Sequence, residues 1–282
     1  MTMNNLIRTL ICDEQVSLTL ADTTDLVRRA QTLHGLKGEG AALLGKFLSA
    51  AAFMSGALKE ESGEISFALQ CDGLAGQINV SGNYPLHIRG YMEGANAEGT
   101  EEELLGQNGS FTVIRNDGYS RPFVGSCGHP ATVGVEEILE EYYRISEQLP
   151  TFFGCVVDFD DEGKVSFAGI AVLQPLPFTD EGTIEALPKG EALRALVRKV
   201  AKDGVDAVAI DDFSAKKDGI KGRKATYTCN CSRDYLKQVL TSLGEAQMRA
   251  IIREDGAVRV HCHYCNTDYA FDDKDADEMF AK

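Results

Sequence analysis

The chain has 282 residues, of which 44% are hydrophobic and 25% charged, with a formal net charge of −15. That size and balance predict one large or two ordinary globular domains with a real core. The negative charge argues against nucleic-acid binding, which rests on Lys and Arg. Apolar runs such as Ala50–Met54 fall far short of the ~20 residues of a membrane span.

Residues Met1 to Asn5 lack the basic and apolar regions of a signal peptide, so a cytoplasmic protein is expected. Leu6–Cys12 and Gln15–Leu20 then read as strands, and Asp22 to Thr24 offer caps for a helix to about His34. Gly38 to Lys59, rich in Ala, Gly and Leu, reads as a helix packed on all sides. Glu64–Cys71, Gln77–Val80, Leu86–Met92 and Phe111–Arg115 read as strands, punctuated by Gly and Asn. Val135–Leu149 has the pattern of an amphipathic helix closed by Pro150. Phe152–Phe159 and Lys164–Leu173 alternate and are joined by Asp160-Asp161-Glu162-Gly163, a hairpin signature. Strands and helices without regular alternation predict an α+β class rather than a doubly wound sheet.

The chain changes character at Gln174-Pro175-Leu176-Pro177. Residues 1–178 carry net −13, residues 179–224 net +1, and residues 225–282 net −3. The middle stretch is dense in charge, with an amphipathic helix near Glu191–Ala201 and a basic run at Lys216–Lys224. It reads as a helical, charge-rich linker folded only marginally, or as an ordinary surface helix with a loop. The expected domains are therefore an N-terminal mixed sheet-and-helix domain (1–178), a regulatory linker (179–224) and a small C-terminal zinc-binding module (225–282).

Eight cysteines in a reducing compartment are expected as thiols. Four are scattered, but Cys229-Asn230-Cys231 and Cys262-His263-Tyr264-Cys265 form two tight pairs. Four thiols match the tetrahedral shell of Zn2+. The one-residue spacing at Asn230 asks for a tight turn, which Asn tolerates well. The thirty residues between the pairs form a helical hairpin. Ser232 caps a first helix with Leu236, Val239, Leu240 and Leu243 on one face, ended by Gly244. A second helix carries Met248, Ile251 and Ile252 and stops at Asp255-Gly256. Strands at Val258–His261 and Thr267–Phe271 flank the second pair, and Asp272 or Asp273 caps a last helix through Asp277–Ala281. Within each pair the sulfurs are close enough to bond to one another after metal loss. Such short links restrain the chain little and could not replace the metal.

Cys-x-Cys followed thirty residues later by Cys-x-x-Cys, at the end of a chain this long, resembles the redox-regulated chaperone family heat shock protein 33. Tyr142, Ser146, Glu147, Gln148 and Pro150 resemble a helix of that family's N-terminal domain. The resemblance implies an ATP-independent holdase, inactive when reduced and zinc-bound. Oxidants would close Cys229–Cys231 and Cys262–Cys265 disulfides, expel zinc and unfold the module and linker. The protein would then dimerise and hold unfolding client proteins, protecting them from aggregation under oxidative stress. At rest, Leu193, Leu196, Val197 and Val200 would cover apolar surface on the N-terminal domain.

The alternative is a purely structural zinc module that binds nucleic acid or protein, which the charge of residues 225–282 disfavours. Gly40 to Lys46 matches a P-loop only in part: Phe47 stands where Ser or Thr should hold magnesium, inside a helical pattern, so no nucleotide is expected. Cys127 and His129 lack an orienting third group, and Cys127 reads as a plain loop cysteine. Cys12, Cys71 and Cys155 read as core residues, and Glu101-Glu102-Glu103 as a solvated turn. Four cysteines would fill the metal's shell, leaving no open position for catalysis, so no enzyme activity is expected.

Overall fold

Two strands open the chain, β1 (Leu6–Ile11) and β2 (Val16–Asp22), in a computed structural model that describes residues 5–129 and 134–281. Residues 1–4, most of the stretch read above for a signal sequence, lie outside the described residues. Helices α1 (Thr24–His34) and α2 (Gly38–Gly56) lead to β3 (Glu64–Cys71), β4 (Gln77–Asn83) and β5 (His87–Met92). Helix α3 (Glu101–Leu105), β6 (Gly109–Asn116) and β7 (Phe123–His129) follow. Helix α4 (Val135–Tyr142) precedes the hairpin of β8 (Phe152–Phe159) and β9 (Val165–Pro175). Helices α5 (Glu181–Ala186), α6 (Gly190–Asp203) and α7 (Val205–Asp211), with short strands β10 (Lys221–Arg223) and β11 (Thr226–Tyr227), complete a unit that ends at Thr228. A second unit begins at Cys229 and holds α8 (Arg233–Thr241), α9 (Glu245–Asp255), β12 (Val258–Cys262), β13 (Thr267–Phe271) and α10 (Asp273–Phe280).

The first unit has two sheets, ordered β10-β1-β2-β9-β8 and β11-β5-β4-β3-β6-β7. Neighbours are antiparallel except β11 beside β5. Helix α2 packs against strands of both. Its small residues permit this closeness: a Cβ added at Gly45 would meet a Val27 methyl at 2.7 Å. On α2, Phe47 stacks near Phe67 and Phe111, with ring centroids 5.9 and 6.0 Å away. The five-stranded sheet is covered on both faces. Leu6 joins the core around α2, while its neighbour Ile7 joins a second core with Leu193, Val197, Val200, Val205 and Val208 of α6 and α7. Successive strand residues point to opposite faces, so cover on both sides leaves β2 and β9 buried almost throughout, Ser17 and Thr19 of β2 included. The six-stranded sheet keeps clean alternation, with Ile65, Phe67 and Leu69 inward on β3.

Several expectations need correcting. Glu101–Glu103 is not a solvated turn: Thr100 caps α3, and Glu101 takes the Lys46 ammonium at 2.5 Å and the Val135 amide at 2.9 Å. Val135–Leu149 is not one regular helix. After Tyr142 the backbone widens into a π-turn over Tyr143–Glu147, ended by Gln148 at φ +53°. Cys12 is no core residue; β1 stops at Ile11, and Cys12 is exposed at φ +51° in the turn to β2. Cys127 lies in no loop. It is buried on β7, a strand hidden by its two glycines and recognisable only from its pairing with β6. Within residues 179–224, α6 buries its apolar stripe, and Arg194 reaches the Glu136 carboxylate, itself only 8% exposed. The Lys216–Lys224 run contributes β10, which pairs Lys221 with Arg8 and Arg223 with Leu6.

In the second unit the core is Leu240, Met248, Ile252, Val258, Phe271 and Ala276. Its helix ends follow capping chemistry. The Tyr235 amide donates to Ser232 Oγ at 3.1 Å, Gly256 closes α9 at φ +77°, and Asp272 caps α10.

Candidate metal and redox centre

The hairpin β12–β13 pairs Cys262 with Thr267, which leaves His263–Asn266 as a four-residue connection. Cys262 therefore ends a strand and Cys265 sits in the turn. The left-handed residue is Asn266, at φ +50°, whereas Asn230 is absent from the positive-φ positions among the described residues. The unusual backbone expected at the Cys-x-Cys pair is thus found after the Cys-x-x-Cys pair. Closing a four-residue hairpin loop needs one left-handed residue, and Asn carries it at little cost. Cys231 directly precedes Ser232, the cap of α8, so one pair hangs from a helix start and the other from a hairpin.

These elements bring one sulfur from each of Cys229, Cys231, Cys262 and Cys265 within 4.8 Å of one another. Two close approaches cross between pairs: Cys231 to Cys265 at 3.0 Å and Cys229 to Cys262 at 3.7 Å. Four soft donors in one cluster are a set that could hold a metal ion, and their number suits tetrahedral zinc. Burial pushes the thiols of Cys231, Cys262 and Cys265 above their ordinary value. Hydrogen bonds from Tyr269 to Cys231 and from Thr267 to Cys265 offset the burial only in part, so a cation is what would ionise the set near neutral pH.

Two neighbours were not anticipated. The Tyr269 hydroxyl and Cys231 Sγ are 3.4 Å apart, and that hydrogen bond pushes the phenol up to about 12. Tyr269 faces Val260 across the hairpin, a pairing that only the register reveals. Opposite one another on the same hairpin, His261 Nδ1 lies 2.8 Å from Asp268 Oδ1, and both side chains are exposed. The His263 ring stands edge-on to that of His261 at 4.9 Å.

The remaining cysteines lie elsewhere. Cys71 is half-buried on β3, and Cys155 is buried on β8, its amide donating to Glu136 Oε1. Burial pushes the Cys127 thiol up to about 11, the chemistry of an inert core residue. Lys46, the last residue of the partial P-loop, lies inside α2 and is occupied by Glu101. Among the described residues no helix is long and apolar enough to cross a membrane.

Comparison with known proteins places this geometry in a family. The family model described as Hsp33 protein matches residues 4–272. The 33 kDa chaperonin of Acetivibrio thermocellus is 31% identical over 268 residues, covering 90% of this chain and 89% of that protein. That of Bacillus cytotoxicus is 29% identical over 97% of each chain. The crystal structure of the 33 kDa chaperonin of Thermotoga maritima shares the fold, with a TM-score of 0.80 over 98% of both chains at 24% identity. The chain belongs to the Hsp33 family, a family of chaperones rather than enzymes.

Proposed function

We propose that this chaperone is a redox-regulated, ATP-independent holdase of the cytoplasm whose switch is the four-cysteine cluster. The observation that carries the reading is four convergent thiols in a unit whose apolar core is very small. Bound there, zinc would supply the charge that keeps four thiolates in one tetrahedral shell. The chain's own part is redox chemistry. Cys262 and Cys265 lose two electrons and their remaining protons to form one disulfide, and Cys229 and Cys231 form the other. Each step reduces one equivalent of hypochlorite to chloride and water, or of peroxide to water. Sulfurs so joined no longer donate as thiolates, and links two and three positions apart along the chain restrain it little. The module loses its cross-link and unfolds.

The regulatory segment, residues 179–224, follows in this reading. It joins the first unit through the apolar stripe of α6, the Arg194–Glu136 pair and the edge strand β10. Edge pairing this short, and helices whose outer faces are charged, belong to the low-stability end of a fold. Its release uncovers the Ile7, Leu18 and Leu20 face of the five-stranded sheet for unfolding clients and for a second copy of the chain. The net charge of −15 sets nucleic acid aside as a partner.

The test is oxidation of the reduced, zinc-loaded protein with hypochlorite. Chelator-detected zinc release, disulfide mapping and suppression of a client's thermal aggregation are read together. Release of one zinc per chain, adjacent-pair disulfides and gained holdase activity, reversed by thiol reductant with zinc, are the expected results. Disulfides joining Cys231 to Cys265 and Cys229 to Cys262 would close loops of more than thirty residues and hold the module shut. That outcome, or activity indifferent to oxidation, would leave a structural zinc module.

A further inference from the structure

A cavity of about 430 Å³ opens in the first unit, with no cysteine in its lining. Its volume is in the range that accepts a small molecule. Phe53, Met54, Leu58 and Ile65 supply the apolar part of its lining. Its polar lining includes Arg8, Lys59, Arg115, Tyr143 and the carboxylates of Glu60, Asp117 and Glu147.

The polar lining is unevenly satisfied. Glu147 Oε1 is engaged twice, by Arg115 Nη2 at 2.5 Å and by the Tyr142 hydroxyl donating at 2.7 Å. Arg8 makes one long contact to Ser17 Oγ, at 3.4 Å, and has no carboxylate partner among the described residues. Tyr143 is only 6% exposed, and its ring is wedged between Phe53 and Phe153, with centroids 5.9 and 5.6 Å away. Its hydroxyl has no hydrogen-bond partner from the protein among the described residues. That hydroxyl opens to the cavity, and with the Arg8 guanidinium it gives the lining two donors that are free to meet an acceptor. The π-turn produces this exposure of the polar lining. It displaces Tyr143 from the regular helical path, so that Tyr142 meets Glu147 while Tyr143 lines the cavity.

We propose that this cavity binds a small amphipathic carboxylate, its hydrocarbon body on Phe53, Met54 and Ile65 and its carboxylate accepting from the Tyr143 hydroxyl and the Arg8 guanidinium. An anion is favoured over a neutral alcohol because one of the two donors, Arg8, is a cation with no carboxylate partner among the described residues. A short acid is disfavoured because the apolar lining would stay wet.

The test uses the reduced, zinc-loaded, full-length protein and decanoate kept below its micellar concentration. Calorimetry gives stoichiometry and affinity, and amide NMR shifts give location. Saturable 1:1 binding is expected, with the largest shifts around Phe53 and Tyr143, and much weaker binding of butyrate and decanol. Y143F and R8Q should each weaken decanoate about tenfold or more, the loss expected for a hydrogen bond to a charged group. Circular dichroism confirms that both variants remain folded. If either variant unfolds, the wild-type shift map decides. No saturation, decanol binding as tightly as decanoate, shifts centred elsewhere, or unchanged affinity in both folded variants would each overturn the proposal.

Discussion

Residues 5–228 and residues 229–281 solve the folding problem differently. In the first unit, α2 buries nearly its whole circumference between strands of two sheets, and Phe47, Phe67 and Phe111 meet ring to ring at its centre. Such a core gains stability from area removed from water and from close packing. In the second, Leu240, Met248, Ile252, Val258, Phe271 and Ala276 are the buried apolar set, and polar devices do the rest. The Asp275 carboxylate takes Arg233 at 2.6 Å and Lys237 at 3.2 Å, and four sulfurs face one another. Domains this small seldom persist on apolar burial alone. A fold that leans on thiolates has chemistry as its weak point, whereas one that leans on phenylalanines does not.

Three perturbations break or sharpen that contrast. The largest effect is expected from a strong zinc chelator under reducing conditions. Structural zinc contributes ~10–16 kcal/mol of apparent folding free energy to small modules, so amide resonances of residues 229–281 should collapse to unfolded positions while those of Leu43 to Phe53 stay dispersed. Retained dispersion in the second unit would mean that its small core suffices. Next comes Phe47→Ala, which empties the centre of the first core and should cost about 3–5 kcal/mol. Urea denaturation should show the first unit's midpoint falling, with zinc stoichiometry unchanged. Loss of zinc in this variant would mean that the two units do not fold independently.

The smallest effect is a pH dependence confined to the first unit. Asp72 accepts from the Asn108 side chain at 2.8 Å and from the Asn108 and Gln107 amides at 2.9 and 2.8 Å, which hold its carboxyl at about 2. A carboxylate with a folded value below the unfolded one stabilises the fold above the ordinary carboxylate range, and that contribution is lost as pH falls toward 2. Carboxyl carbon shifts should show Asp72 titrating near 2, and Asp72→Asn should flatten this part of the acid limb. A midpoint near 4 would show the loop contacts to be broken in solution.

The Cys-x-Cys and Cys-x-x-Cys spacings, the helical hairpin between them and the strands around the second pair were all readable, because each depends on residues near in sequence. Ser232 as a cap and Gly256 as a stop are local chemistry of the same kind. Local reading failed where distant partners decide. Glu101 looked solvated until Lys46, fifty-five residues earlier, reached it. Cys127 looked like a loop thiol because β7 has no strong alternation of its own and is held by β6.

Composition and short-range pattern thus determined the α+β class, the position of the charge-rich segment and the four cysteines that meet. Periodicity and spacing are properties of a few consecutive residues, and capping and turn chemistry act over the same reach. Tertiary structure alone decided the order of strands in the two sheets, which faces of β1 and β2 are covered, and the place of Tyr269 beside Cys231. It also brought Tyr143 and Arg8 into the lining of one cavity, although they are 135 positions apart in the chain. Pairing between residues so far apart is selected by the free energy of the whole fold, and no local window of sequence carries that information.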